Sequence, residues 1–378
     1  MKKIDYYVKY WINISQQTRF HIILMCIFSC IFGICITASA FQTENLNYSK
    51  CESAPKLIFY DSDISEITNL IKKSISSAKK EIMLSYPSED DTSYFQIFNE
   101  SLLEASKRGV FISIITTIEL NKVLYFPFEY ELISLTSLSH RTYDCFAIAD
   151  NDIFYTPLLY RNNKFGYMLY NQNCPALAKD TLHFYQWADL YSHSTLPDVI
   201  STNLYALSSS VRPTITPEGI ISQFHSPPTL LAPLRNDLGR VLTDALYNPS
   251  NIYLYTSIYP TPPNIKWMNT EFSLYGNLWA HALRNETNIK ILSHEFHHDQ
   301  VGLECFQKVD VRIIQNFEKQ FPNFMIIDDN LYLFHYYISE PNFFEFLSLS
   351  IQTNITSIKN RFMEKFNEDW ENSASKTY

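Results

Sequence analysis

The sequence predicts an α/β protein built from two similar halves, and three observations carry that prediction. The order helix, strand, helix, strand is written twice. A strand closed by an aspartate turn recurs after 178 residues, Y-D-C-F-A-I-A-D at Tyr143–Asp150 and F-P-N-F-M-I-I-D at Phe321–Asp328. The composition of the 378-residue chain, 46% hydrophobic and 15% aromatic, supplies enough apolar mass for two cores, while only seven glycines argue against glycine-rich phosphate loops.

Each element has its own signal. Between Asp63 and Lys80, the residues Ile64, Ile67, Leu70, Ile71 and Ile75 recur at helical spacing and leave Lys72, Lys73, Lys79 and Lys80 for solvent. E-I-M-L-S-Y follows as a short strand. Phe95–Arg108 reads as a second helix closed by Gly109, and V-F-I-S-I-I-T-T as a buried strand. The second half repeats this with Leu238–Tyr247 as helix, N-I-Y-L-Y-T-S-I-Y as strand, Leu274–Arg284 as helix and N-I-K-I-L-S as strand. Residues about 170 apart correspond, Ile82 with Ile252, so the halves are expected to pack about a pseudo-two-fold axis, each a mixed sheet flanked by helices. Ser, Thr and Pro accumulate between Asp189 and Pro217, which predicts the linker and sets the lobes at residues 42–205 and 206–378.

The N-terminus departs from this pattern. Phe20–Phe41 runs 22 residues without a formal charge, long enough to span a bilayer at about 1.5 Å per residue. Lys2, Lys3, Lys9 and Arg19 precede it, so residues 1–19 read as a cytosolic tail, 20–41 as a transmembrane signal-anchor, and the rest as exported. Ala38-Ser39-Ala40 supplies the competing reading of a cleaved signal peptide. The expected protein is a single-pass type II membrane protein with a lumenal or extracellular C-terminal domain, in the endoplasmic reticulum, endolysosome or cell surface; the alternative is a secreted one. Glycosylation sequons at Asn47, Asn99, Asn285 and Asn354 agree with export. Outside the apolar run, Cys51, Cys145, Cys174 and Cys305 would face an oxidising compartment, where four thiols allow three full pairings and sequence chooses none. The chain carries a formal −9, and removing the +3 tail leaves −12 for the exported part, which disfavours a broad nucleic-acid groove.

Several short motifs stand in a telling order: Ser77-Ala78-Lys79-Lys80 and Ala105-Ser106-Lys107-Arg108-Gly109-Val110 before strands, Phe224-His225-Ser226-Pro227-Pro228 opening the second half, and Phe366-Asn367-Glu368-Asp369-Trp370 near the end. With the repeated strand, this ensemble resembles the phospholipase D superfamily, whose halves each carry H-x-K-x-x-x-x-D, over most of residues 50–378. It looks most like the membrane-anchored branch that includes endolysosomal phospholipase D proteins and poxvirus envelope phospholipase-like proteins. The resemblance implies a shared cleft in which one His attacks phosphorus, the other protonates the leaving oxygen and two Lys neutralise phosphate oxygens. It also implies a disulfide between Cys51 and Cys174, with Cys145 and Cys305 free.

Carried onto this chain, the pattern keeps its aspartates, Asp150 and Asp328, and loses its chemistry. Tyr143 and Cys145 stand at the first His and Lys positions, Phe321 and Asn323 at the second. Pro157-Leu158-Leu159-Tyr160 and Phe334-His335-Tyr336-Tyr337 replace the Gly-Ser-x-Asn that usually follows. Residues at i and i+2 of a strand share a face, so Tyr143 points with Cys145 and Phe321 with Asn323, and the resemblance implies that all four converge at one inter-lobe cleft. The reading is a pseudoenzyme that binds a phospholipid, a phosphodiester or a protein partner, with no cofactor and no metal; a homodimer is left open. The alternative is an active phosphodiesterase, a phospholipase or 5′ exonuclease, using Tyr143 with the His294–His298 run.

Other constellations have plainer readings. Tyr143 as substitute nucleophile lacks a visible acid or cation, and Cys145 is better read as buried and inert than as a reactive thiol. His294-Glu295-Phe296-His297-His298 satisfies the H-E-x-x-H zinc protease signature, but it follows a strand, which predicts a polar loop at the cleft mouth with incidental metal or phosphate contact at His294, His297 or His298. His140 and His225 have no nameable partner.

Overall fold

Twice in this chain, a helix delivers a strand that pairs in parallel with the next strand and antiparallel with an aspartate hairpin. The computed structural model describes residues 49–59, 64–85, 93–116, 126–134, 146–156, 158–159, 164–192, 213–226, 241–242, 244–258, 274–284, 286–295, 307–314, 323–334 and 348–375. The chain divides into a unit Met1–Tyr48, outside the described residues, and a unit Ser49–Tyr378. Among the described residues no helix is long and apolar enough to cross a membrane; the apolar run Phe20–Phe41 lies outside them.

The first half comprises β2 (Lys56–Phe59), α1 (Ile64–Ser77), β3 (Glu81–Ser85), α2 (Ser93–Lys107), β4 (Phe111–Thr116), β5 (Glu131–Ser134), β6 (Phe146–Ala149), β7 (Asp152–Tyr155), the short pair β8 (Leu158–Leu159) and β9 (Lys164–Phe165), β10 (Tyr167–Asn171) and α3 (Pro175–Ser192). Before it lies β1 (Ser49–Lys50). The second half comprises β11 (Thr214–Thr216), β12 (Gly219–Ser226), β13 (Asn251–Ile258), α4 (Leu274–Arg284), β14 (Asn288–Glu295), β15 (Val309–Ile313), β16 (Phe324–Ile327), β17 (Asn330–Phe334), β18 (Ser348–Thr353), α5 (Thr356–Glu371) and β19 (Ala374–Ser375).

The first sheet has the order β2-β10-β7-β6-β3-β4-β5, and inside the ten-stranded second sheet the run β12-β18-β17-β16-β13-β14-β15 repeats it strand for strand. Pairing senses match throughout, antiparallel except for the two parallel steps that end each run. Ile82 pairs with Ile112 and Ala149, and Ile252 with Ile289 and Ile327, so the correspondence of Ile82 with Ile252 holds at the level of register.

The predicted helices form where apolar periodicity is local. Ile67, Ile71 and Ile75 are each 1% exposed on α1 and pack with Phe98, Leu102 and Ala105 of α2 beneath the first sheet. Gly109, at φ +81°, closes α2 in the left-handed conformation that glycine adopts without strain. The predicted helix Leu238–Tyr247 is helical at residues 241–242 and 244–245, and Leu246 N–H donates to Leu242 O at 2.8 Å. The Ser/Thr/Pro-rich stretch is structured at both ends: α3 runs through Ser192 and Thr214–Thr216 are sheet, while the boundary at residue 205 lies outside the described residues.

The central core joins the halves. It draws Met83, Phe146 and Tyr155 from the first sheet, Tyr255 and Phe324 from the second, and side chains of both α3 and α5. Phe362 of α5 meets Phe59, Tyr167 and Phe324 at centroid distances of 5.2, 5.0 and 5.1 Å, so one ring of the second half's last helix packs on strands of both sheets. Gln223 of β12 makes a reverse contact: its amide donates to the Tyr155 hydroxyl and to Leu177 O at 3.4 Å, and accepts from the Thr181 hydroxyl at 3.0 Å. Burial pushes the Tyr155 hydroxyl well above the ordinary tyrosine range, so it stays a neutral partner in this network.

Candidate functional site

Of the positions that the sequence singles out, the two aspartates are placed most clearly. Asp150 and Asp328 follow β6 and β16 at φ +53° and +48°, in the left-handed region that aspartate tolerates and a two-residue hairpin turn needs. The Asp150 carboxylate accepts the amide hydrogens of Lys79, Lys80 and Glu81 at 2.8, 2.9 and 3.0 Å, and Asp150 N–H donates to Glu81 O at 2.9 Å. Asp328 repeats the arrangement, accepting from Ser250 and Asn251 at 3.1 and 3.0 Å, with Asp328 N–H donating to Asn251 O at 3.1 Å. Each carboxylate thus ties its hairpin to the start of the neighbouring central strand. For Asp150, partial burial raises the pKa, but the three amide bonds and Lys80 outweigh it and hold the carboxyl below its ordinary value.

These aspartates are turn residues. Both lie at the hairpin end of the sheets, whereas Asn323 precedes β16 at the opposite end of that strand. Tyr143, Cys145 and Phe321 lie outside the described residues, as do His140, His297, His298 and Cys305. Asn323 precedes β16, 6% exposed, its carbonyl accepting Phe334 N–H at 3.1 Å. Of the four motif positions Asn323 alone lies among the described residues; Phe146 and Phe324, which follow Cys145 and Asn323 in the chain, are described as well. Both phenylalanines are 0% exposed and enter the central core, Phe146 on Tyr185 of α3 at 4.9 Å and Phe324 on Tyr255 and Phe362, each at 5.1 Å.

His294 and Glu295 close β14, with Glu295 in register with Ile258. The backbone there is extended, whereas a zinc protease signature needs a helix to set its two His one turn apart. His225 lies within β12. Leu158–Leu159 form β8, paired antiparallel with β9 in a separate two-stranded sheet, and Phe334 ends β17. Cys51 and Cys174 are joined in a disulfide across 123 residues, the pairing that the family resemblance implied. Of the sequons, Asn99 lies in α2 with a buried Oδ1, and Asn354 is exposed with its Oδ1 accepting Ile220 N–H at 2.8 Å; Asn47 and Asn285 lie outside the described residues.

One cluster beside this region was not legible in the sequence. Tyr255, stacked on Phe324, donates its hydroxyl to Asp369 Oδ2 at 3.0 Å, and Lys365 Nζ meets Asp369 Oδ1 at 3.1 Å. Lys365 is only 8% exposed, and burial pushes the Asp369 pKa up against the opposing pull of Lys365 and the Tyr255 hydroxyl. The available signal was a stripe at Ile358, Phe362, Lys365, Phe366 and Trp370, a helical face with a lysine inside it.

No protein-family model and no curated sequence matches the chain. Among solved structures it is similar to phosphatidylserine synthase of Haemophilus influenzae Rd KW20, at 10% identity and a TM-score of 0.58 over 88% of this chain and 90% of that one. It is also similar to polyphosphate kinase of Porphyromonas gingivalis, at 8% identity and a TM-score of 0.56 over 83% of this chain and 46% of that one. Nuc of Salmonella typhimurium, a phospholipase D family member, matches 43% of this chain and 100% of its own at 14% identity and a TM-score of 0.32. At such identities the likeness is one of fold. The chain shares the fold of the synthase and the kinase.

Proposed function

We propose that this chain is a catalytically silent phospholipase D-fold protein, exported and held at a membrane, that binds a phospholipid, a phosphodiester or a protein partner. One observation carries the reading: both aspartate hairpins keep equivalent bonding at Asp150 and Asp328, while Tyr143, Cys145, Phe321 and Asn323 occupy the positions of the two H-x-K pairs. Phenylalanine neither transfers a proton nor attacks phosphorus, and a site without its two cations forfeits oxyanion stabilisation of roughly 3 kcal/mol per donor. The Cys51–Cys174 disulfide supports an oxidising compartment. The strand-for-strand repeat supports two lobes related by an approximate two-fold axis.

The test is turnover by the purified chain of lysophospholipid, phosphatidylcholine and single-stranded DNA, with Tyr143→Phe and His294→Ala alongside. We expect no turnover above the uncatalysed rate. Turnover that either substitution abolishes would establish a working phosphodiesterase and overturn the reading.

A further inference from the structure

Cations gather at the hairpin end of the first half on a chain that is otherwise acidic. Lys79 and Lys80 are exposed in the step from α1 to β3, and Lys107 and Arg108 are exposed at the close of α2. Hydrogen bonds hold these two segments side by side: Arg108 donates to Ile75 O and Ala78 O at 3.2 and 3.3 Å, and Phe111 N–H donates to Lys80 O at 2.9 Å. Beside the cations Phe111 stands 51% exposed at the start of β4, although Ile112 and Ile114 of the same strand are 1% and 0% exposed. The carboxylates of the adjoining hairpin are turned to internal work. Asp150 accepts three amide hydrogens, and Asp152 accepts from Ser74, Tyr170 and the Asn173 amide. Other acids near this end are Glu81, half-buried at the start of β3, Glu104, a turn back in α2, exposed Glu52 beside Asn173, and exposed Glu129 and Glu131 at the start of the neighbouring β5.

The chain enters the folded unit along β11 of the second sheet, Ser49 and Lys50 pairing with Thr214 and Ile215, and reaches this end of the first half at Cys51 and Glu52. Cys51 is bonded to Cys174, whose N–H donates to Asn151 O at 2.7 Å. The Asn151 side chain donates to Asn173 Oδ1 at 3.2 Å, and the Asn173 side chain donates to Glu52 at 2.9 Å. Asn151 directly follows Asp150, whose carboxylate holds the Lys79 and Lys80 amides. Ser49, the first residue of β1, comes eight residues after Phe41, the last of the apolar run. Eight residues span at most about 29 Å when fully extended.

We propose that Lys79, Lys80, Lys107, Arg108 and Phe111 form a docking surface for an anionic bilayer, with the cations among lipid headgroups and the phenyl ring at the acyl boundary. The proposal rests on the reading of Phe20–Phe41 as a retained anchor. A surface tied this closely to its partner binds intramolecularly, so a few weak contacts suffice. The exported part's −12 repels an anionic surface over most orientations, and this basic patch selects the one that does not. A four-cation patch also suits nucleic-acid phosphates, but the exposed phenyl ring next to the cations favours a bilayer.

The test uses the full-length chain reconstituted in vesicles of phosphatidylcholine alone or mixed with phosphatidylserine. A membrane-impermeant amine reagent labels exposed lysines, and mass spectrometry reads each site. In anionic vesicles the labelling of Lys79, Lys80 and Lys107 is expected to fall by about fivefold, the gain per basic residue near an anionic surface. Exposed Lys308 of the second half serves as the unaffected control, and high salt restores labelling. In the variant Lys79→Glu with Phe111→Ser, both at exposed positions, Lys80 and Lys107 are expected to label equally in the two vesicle types. Equal labelling of the native chain in both vesicles overturns the proposal, as does protection by soluble single-stranded DNA without protection by vesicles. Failure of the anchor shows separately, as chain released from vesicles by an alkaline carbonate wash, and the labelling contrast on unwashed vesicles still decides the patch.

Discussion

At the scale of single residues, two aspartates pull the pH dependence of stability in opposite directions. The Asp150 carboxyl titrates below its ordinary value, so its contribution to the fold is complete above the unfolded carboxylate pKa of about 3.9 and is lost as pH falls through the lower folded value. Asp150→Asn keeps the tolerance for φ +53° but places an amide where three N–H groups point. Because the site is largely exposed, the expected cost at neutral pH is about 1–2 kcal/mol, shrinking as the medium is acidified toward pH ~3. Urea unfolding across that range measures it, and a cost independent of pH would remove the carboxylate from the account. Asp369 behaves in the reverse sense. Burial raises its pKa, so its titration favours the fold below about 3.9 and that favour is lost as pH rises through the higher folded value. Breaking the pair by Lys365→Met leaves a buried carboxylate unmatched and is expected to cost about 3 kcal/mol, whereas Lys365→Met with Asp369→Asn, which keeps an acceptor for Tyr255, is expected to be close to neutral.

At the scale of elements, α5 carries the most consequence. Its apolar stripe packs against both sheets through Phe362, and Phe366 stacks on Trp370 at 5.4 Å, which in turn lies beneath Arg312 and Lys290. Phe362→Ala is expected to cost about 3–5 kcal/mol, the range for a buried ring removed from a core that cannot collapse around the void. A loss below 1 kcal/mol in denaturant titration would mean that the three ring contacts are incidental. This helix and α3 were not read from the sequence, although both have helical stripes; for α3 these are Leu177, Ala178, Thr181, Leu182 and Tyr185. By contrast α1 and α2 were legible because each has a polar outer face beside an apolar one, and α4 was read to its observed ends, Leu274–Arg284. The candidate site was legible only in part: the turn role of Asp150 and Asp328 followed from their place after a strand, but the Tyr255–Asp369–Lys365 cluster joins residues 114 apart and has no local signature.

At the scale of the molecule, the halves share a core, so they are expected to unfold together. Calorimetry should show one transition for Ser49–Tyr378, with calorimetric and van't Hoff enthalpies in agreement; two resolved transitions would contradict a core common to Phe146, Phe324 and Phe362. The Cys51–Cys174 bridge closes a 123-residue loop that spans nearly the whole first half. Loop-closure entropy puts its contribution at up to about 5 kcal/mol, so Cys51→Ser is expected to lower the transition temperature markedly, and reductant should produce the same shift in the native chain but none in the variant.

The sequence by itself determined the repeated helix–strand order, the register correspondence of Ile82 with Ile252 and the aspartate hairpins. These are matters of local periodicity, turn chemistry and residue identity, which a linear text records directly. Only the tertiary structure decided that one core serves both halves, that a lysine is buried on α5, and that the disulfide brings Cys51 to the end of the first half that carries the Lys79–Arg108 patch. Those depend on which faces meet across 100 or more residues, and nothing in a side chain's own neighbourhood along the chain specifies its partner in space.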